Sequence, residues 1–301
     1  MRRFFPTVIL SFITLGVFAQ NDLMDLLNDS TASGISYTTA TFKSTRVMNG
    51  HSIEKMAPGQ LDFRISHRFG SINSGAYEFF GLDQANTHLS LEYGILKWLM
   101  AGLGRGTYEK TFDGFAKFAI LRQSAGAKEM PVSVSLFSSV AIKSQKWQTD
   151  TITNYFSSRL SYVAQVLIAR KINQSLSLQL TPSYVHRNLV PTELDPNDLF
   201  AIGAGGRIKL SKRISFNAEY FYVINQNPYS NPKYYNPLSI GVDIETGGHV
   251  FQLIFSNSVQ TIEKGFIGET TGQWTKGDIH FGFNISRVFT LKKQKAPAVQ
   301  Y

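Results

Sequence analysis

The sequence predicts an all-β protein: a transmembrane antiparallel up-and-down β-barrel of about twelve strands, preceded by a short N-terminal segment that lies in the periplasm or in the lumen. Three observations point there. The chain opens with an export signal, and it holds no later apolar run long enough to make a membrane helix. Apolar side chains then recur at every second position over successive segments of about ten residues.

The export signal comes first. Arg2 and Arg3 precede an apolar run from Phe4 to Val17, and the small residue Ala19 follows with Val17 two positions before it. This is the charged, apolar and small-residue order of a secretory signal, with cleavage expected after Ala19. The run is shorter than the roughly 20 residues a spanning helix requires. The chain contains no cysteine, which excludes a lipidated cysteine at the cut, a disulfide framework and a thiolate metal site. Stability must come from the sheet. At 43% hydrophobic and 17% charged, the 301 residues suit one folded domain. The formal charge of +9, or +7 once Arg2 and Arg3 leave with the signal, is spread without a basic helix. It therefore suits an anionic lipid surface better than nucleic acid.

The expected organisation is a signal peptide over 1–19, a periplasmic or plug segment over 20–58, a barrel over 59–291 and a basic tail over 292–301 carrying Lys292, Lys293 and Lys295. Within the N-terminal segment, 22–28 has the composition of a short amphipathic helix, and 40–54 is strand-like with a turn at Asn49-Gly50.

In the barrel, Leu176, Leu178 and Leu180 alternate with Ser177, Gln179 and Thr181, and Ile279, Phe281, Phe283 and Ile285 alternate with His280, Asn284 and Ser286. A period of two belongs to strands, not helices. Strands are expected over 60–69, 87–95, 99–107, 113–122, 132–143, 158–170, 175–186, 199–211, 214–224, 238–246, 249–258 and 278–291. Short turns alternate with long polar links, as in barrels with short periplasmic turns and longer outer loops. The connection 123–131 is long for a periplasmic turn. Trp98, Tyr184, Tyr220 and Tyr222 fall where two interfacial aromatic girdles would lie. Alternation alone does not say which face points inward. The number of polar residues on one face exceeds what a soluble core tolerates unpaired, so that face is assigned to the lumen.

Phe42-Lys43-Ser44-Thr45-Arg46 with Asn49-Gly50-His51-Ser52 before the barrel, Asp113-Gly114-Phe115 followed by Leu121-Arg122-Gln123, and the amphipathic strands to Leu291 resemble a family of Gram-negative outer-membrane β-barrels catalogued as domain of unknown function 5777. The resemblance covers most of the chain beyond the signal. It implies a barrel in the outer membrane without implying an activity. Phe289 is close to the aromatic end that guides assembly of many barrels, but it is not terminal.

Catalytic chemistry is not indicated. The six histidines are scattered, with no pair at metal-ligand spacing, and nothing calls for a cofactor or metal. Gly102-Leu103-Gly104-Arg105-Gly106 lies in a strand with no helix after it, so it is not a phosphate loop. Its alternate glycines are expected to leave room for something that approaches closely. If the alternation holds, the lumen is lined by Asp62, Glu92, Glu219, Asp243, Glu245 and Asp278 beside Arg64, Arg68, Lys117, Lys143, Arg159, Arg207 and Lys209. Plug contacts are expected between Lys43 or Arg46 and carboxylates such as Asp243 or Glu245, and against Gly102, Gly104 and Gly106. The outer loops hold Trp147, Trp274 and the run 228–237, read as a rigid Pro-bearing link or a stacking surface.

Two functions fit these residues. One is a narrow channel or small-solute binding and transport protein, since about twelve strands enclose more space than an eight-stranded barrel fills with side chains. The other is a structural or assembly barrel with a closed lumen that anchors a periplasmic protein. The expected partners are outer-membrane lipid, the barrel-assembly machinery, and either a small polar solute or a periplasmic protein.

Overall fold

A computed structural model describes residues 34–147 and 155–292. The expected signal peptide, the helix at 22–28 and the tail from Lys293 onward lie outside them. Twelve antiparallel strands close into a barrel: β2 (Gln60–Ser71), β3 (Ala85–Leu96), β4 (Leu99–Gly106), β5 (Thr111–Leu121), β7 (Ser133–Lys143), β8 (Leu160–Lys171), β9 (Leu176–Arg187), β10 (Asp198–Lys209), β11 (Ile214–Val223), β12 (Leu238–Thr246), β13 (His249–Ser256) and β14 (His280–Thr290). Each barrel strand pairs with its neighbour in sequence, and β14 pairs with β2 to close the ring. Closure leaves no free edge, so every backbone group at membrane depth finds a partner in the ladder.

The facing question is settled by exposure. On β9, Leu178 and Leu180 are 48% and 45% exposed while Ser177 and Gln179 are 1% and 5%. Apolar side chains point to lipid and polar ones inward. Trp98, Tyr184, Tyr220 and Tyr222 are all exposed on the outer face.

Two further strands lie outside the ring. β1 (Ile35–Tyr37) and β6 (Ser124–Gly126) form a two-stranded antiparallel sheet at the end of the barrel that carries the short turns. This explains the long 123–131 connection, because it extends to pair with the chain on its way into the barrel. Arg122 stacks over the Tyr37 ring there. The outer link before β14 is not merely polar: it contains α1 (Glu263–Gly268), all six of whose residues are buried.

The lumen is filled by protein. The residues between Thr41 and Ile53 are mostly buried, and the inward faces of β8 to β11 carry Val163, Leu167, Val185, Leu199 and Phe221 beside their polar positions. A packed interior changes what substitutions there will do. Leu178→Arg or Phe283→Arg would place a charge toward lipid and should destabilise the barrel by about 2–4 kcal/mol if near the bilayer midplane. Asn284→Arg should cost a similar amount, because Asn284 is buried and donates to the Met48 carbonyl and Gln252. Urea unfolding in vesicles checks both; an undisturbed Asn284→Arg barrel would show that the interior is loose.

Candidate functional site

The site is the place where the N-terminal segment crosses the lumen. Beyond β1 the chain turns inward and doubles back around Asn49-Gly50. The Val47 amide donates to the Gly50 carbonyl, and the Ser52 amide to the Thr45 carbonyl. Arg46 and His51 bridge across this narrow loop. The turn expected from Asn49-Gly50 is thus the tip of a plug.

One side of the plug meets a charged wall made by β2, β3 and β11 to β14. Arg46 pairs with Glu92 at 2.8 Å, and the Thr45 hydroxyl donates to the same carboxylate at 2.7 Å. Arg64 pairs with Asp62 and donates to Ser44 and Thr45. Near the short-turn rim Lys43 pairs with Glu245 at 2.7 Å. Glu219 accepts the backbone N–H groups of Met48, Asn49 and Gly50. Gln252 donates to the Val47 carbonyl. Across the lumen, Lys117 donates to the carbonyls of Ser52 and Glu54, and Gln179 clamps His51 and Ile53 through their backbone.

The other side is apolar. Phe42, Val47 and Ile53 join a cluster with Phe115, Phe137, Leu167, Val185, Leu199 and Phe221. The His51 ring lies 4.5 Å from Phe115 and 4.2 Å from Phe137, centre to centre. Sequence alternation missed this half, since strands such as β8 are apolar on both faces.

A second closure comes from the outer side. Phe266 and Ile267 of α1 join the same cluster, with Phe266 edge-on to Phe221 at 5.2 Å. Arg187 donates to the Gly268 carbonyl. Lys264 binds Glu109 at 2.9 Å and Glu269 at 3.0 Å. Burial opposes the charge of Lys264, yet Glu269 and Glu109 hold its ammonium above the usual lysine range. Burial likewise opposes ionisation of Glu109, while Lys264 and Lys143 hold it below the usual carboxylate range. The two closures nearly touch, with His51 Nε2 3.8 Å from Glu263 Oε1. Between them remains a cavity of about 20 Å³, lined in part by Arg46, His51, Arg68 and Glu263. That is room for about one water.

Of the expected lumen residues, Asp62, Arg64, Arg68, Glu92, Lys117, Arg207, Glu219 and Asp243 are inward and buried. Glu245 and Lys209 are at the short-turn end of their strands and Lys143 at the long-loop end of β7, where it pairs with Glu109. Arg159 and Asp278 do not line the lumen: each sits in an outer link just before its strand begins. Arg159 stacks on Trp147, and Asp278 accepts from Asn73 and the Gln273 amide. Arg46 reaches Glu92 rather than Asp243 or Glu245: its carbonyl accepts from Gln252, which also binds Asp243, while its side chain runs to β3. Gly102 and Gly104 are inward, but they make room for Phe115 and for the His88–Asp113 pair. Gly106 also borders His88, not the plug. The glycines against the plug are Gly205, where an added Cβ would lie 3.3 Å from Val47, and Gly241, where it would lie 2.7 Å from the Met48 sulfur. In the outer loops, Trp274 is tied to the Leu238 carbonyl and Tyr234 is buried, while Tyr229 is exposed.

Two outcomes follow. Glu92→Gln leaves the buried guanidiniums of Arg46 and Arg64 short of charge and should cost about 3–5 kcal/mol, read by urea unfolding. Because the Glu109 pKa is depressed, the stability it contributes is present above its ordinary 4.5 and is lost as pH falls through its lower folded value. Lys264, being raised, keeps its contribution up to strongly alkaline pH. Proteolysis of the α1 link should therefore be slow at neutral pH and faster well below about pH 4.5; a rate unchanged on acidification to about pH 3 would contradict the latch.

A family model described as a membrane bound beta barrel domain matches residues 42–289, a span that begins within the plug. No curated protein matches the chain. Among solved structures, the NanC porin is similar at 12% identity over 77% of this chain and 100% of its own, with a TM-score of 0.47. The KdgM porin is similar at 8% identity over 76% and 99%, with a TM-score of 0.46. An outer membrane channel from Pseudomonas putida F1 is similar at 9% identity over 78% and 97%, with a TM-score of 0.48.

Proposed function

Since the chain belongs to the family of membrane-bound β-barrel domains, we propose that it is an outer-membrane channel for a small polar solute, closed at rest by its own N-terminal segment. The single observation that carries this reading is the chemistry of the charged wall. There the plug is held by hydrogen bonds and ion pairs to Glu92, Arg64, Glu219 and Gln252, all groups that water satisfies equally well. Withdrawal of residues 41–54 would expose a hydrophilic surface on that side. Such a surface costs little to wet, and mixed charges along a narrow path select solutes by field and width. The segment also enters from the periplasmic end, where β1 holds it against β6, so its opening motion is toward the periplasm.

A specific observation favours a second reading. Phe42, Val47 and Ile53 are packed against an apolar wall together with Phe266 and Ile267. On that side withdrawal exposes apolar surface, at about 25 cal/mol for each Å². A barrel sealed in this way serves as an anchor for a periplasmic protein.

The two readings separate in planar bilayers. A Val47→Cys/Gly205→Cys pair joins the plug to β10, in a chain with no other cysteine. The channel reading expects unit conductance when the pair is reduced and its loss on oxidation. Silence in both states, with the barrel folded, supports the sealed anchor. Conductance unaffected by oxidation would show that the segment does not control the path.

A further inference from the structure

Several buried lumen charges form no ion pair among the described residues, and two of them, Arg68 and Glu219, meet the same plug residue, Asn49. Arg68 on β2 is fully buried, and its bonds go to neutral oxygens: the His67 and Phe283 carbonyls, Asn284 Oδ1 at 3.1 Å and Asn49 Oδ1 at 2.6 Å. Its Nε has no partner. Glu219 on β11 is 4% exposed, and its carboxylate accepts the amides of Met48 at 3.2 Å, Asn49 at 2.6 Å and Gly50 at 3.1 Å. Neither forms an ion pair among the described residues, whereas Arg46, Arg64, Asp62 and Glu92 on the same wall pair directly. An unpaired buried charge is costly, and removing a partner from a buried pair typically costs several kcal/mol. Here two opposite charges are held apart, and both end on the same plug residue.

The tip presents to them a chemical pattern. It offers an amide oxygen to the guanidinium and a set of N–H donors to the carboxylate. A zwitterion offers the same pattern more strongly, with a carboxylate for the arginine and an ammonium for the glutamate. The bonds to Asn49 are already assisted by one charge each, and a zwitterion adds the attraction of a second, opposite charge at both ends. Resting on the channel reading, we propose that Arg68 and Glu219 form a binding site for a small zwitterionic solute of the amino-acid type, and that the Asn49-Gly50 turn occupies it as a stand-in in the closed state. The residue at 49 fits this role. An aspartate there would pair with Arg68 and hold the tip shut, while asparagine of the same shape yields to an incoming carboxylate. Asn49 Nδ2 also donates to Ser239 and Ser256, so hydroxyl oxygens adjoin the site for the solute's own polar groups. The neighbouring cavity of about 20 Å³ is too small for the solute. Binding therefore requires the tip to leave, which couples recognition to opening.

The test uses the full chain in vesicles with Val47→Cys as a reporter of tip withdrawal, since Val47 is 2% exposed when the plug is seated. Labelling by a maleimide is timed at pH 7 with glycine, serine, acetate or methylammonium. Glycine and serine should raise the labelling rate about tenfold, equivalent to a shift of about 1.4 kcal/mol, while acetate and methylammonium leave it near its resting value. Arg68→Gln and Glu219→Gln should each abolish the response in barrels shown to be folded by circular dichroism. Asn49→Asp, which keeps both wall charges, should suppress it by locking the tip. A response to acetate alone would replace the proposal with a simple anion site, and no response to any probe would overturn it. If the reduced disulfide pair still conducts while the probes have no effect, only the zwitterion site falls; if conductance is also missing, the channel reading falls with it.

Discussion

The structure depends on one constraint: inside a closed barrel, every inward polar group must find a partner from the protein once water is displaced. The ladder satisfies the backbone. It does not by itself satisfy Glu92, Arg64, Lys117 or Glu219, whose side chains point into the interior. The plug resolves this. Its hydroxyls, amides and carbonyls reach each of those groups, and Arg46 supplies the charge that Glu92 needs beside Arg64. The polar wall and the N-terminal segment are complementary parts of one interior, and the family match includes the segment from residue 42.

The interior has two characters, and they act differently. On the charged side, seating the plug exchanges hydration for buried hydrogen bonds, a trade that is close to balanced. On the apolar side, the cluster around Phe137, Leu167 and Phe221 gains from burial alone. Net seating strength thus comes mainly from the apolar half, while register comes from the charged half. α1 adds to the first through Phe266 and Ile267 and is itself held at the mouth by Lys264. A disturbance at the outer link would reach the plug through this shared cluster and through the His51–Glu263 approach.

Much of the fold was legible in the sequence because lipid imposes a period of two on any strand that faces it. All twelve barrel strands fall near their expected positions, and Leu238–Thr246 matches at both ends. The site was legible in part. Lys43 and Glu245 meet as the spacing suggested, and most of the charged inward positions are where alternation puts them. What escaped has physical reasons. β8 carries Tyr162, Val166 and Ile168 outward and Val163, Leu167 and Ala169 inward, so its apolar inner face leaves no mark in the pattern. Ile262, Phe266 and Ile267 sit in a link otherwise rich in Gly and Thr, and six residues are too few for helical period to stand out. The pairing of β1 with β6 is a long-range contact that no local signal carries. The direction of the Arg46 side chain, toward Glu92 and not Asp243, depends on how the barrel's interior fills.

The central claim is that residues 41–54 are an ordered part of the barrel interior. Hydrogen exchange read by mass spectrometry on the protein in native membranes tests it most directly. Amides of this segment should exchange nearly as slowly as those of β2 and β9, with the amides of Met48, Asn49 and Gly50 on Glu219 among the slowest. Exchange at the rate of an unstructured peptide, with the barrel strands protected, would contradict it and leave the lumen open.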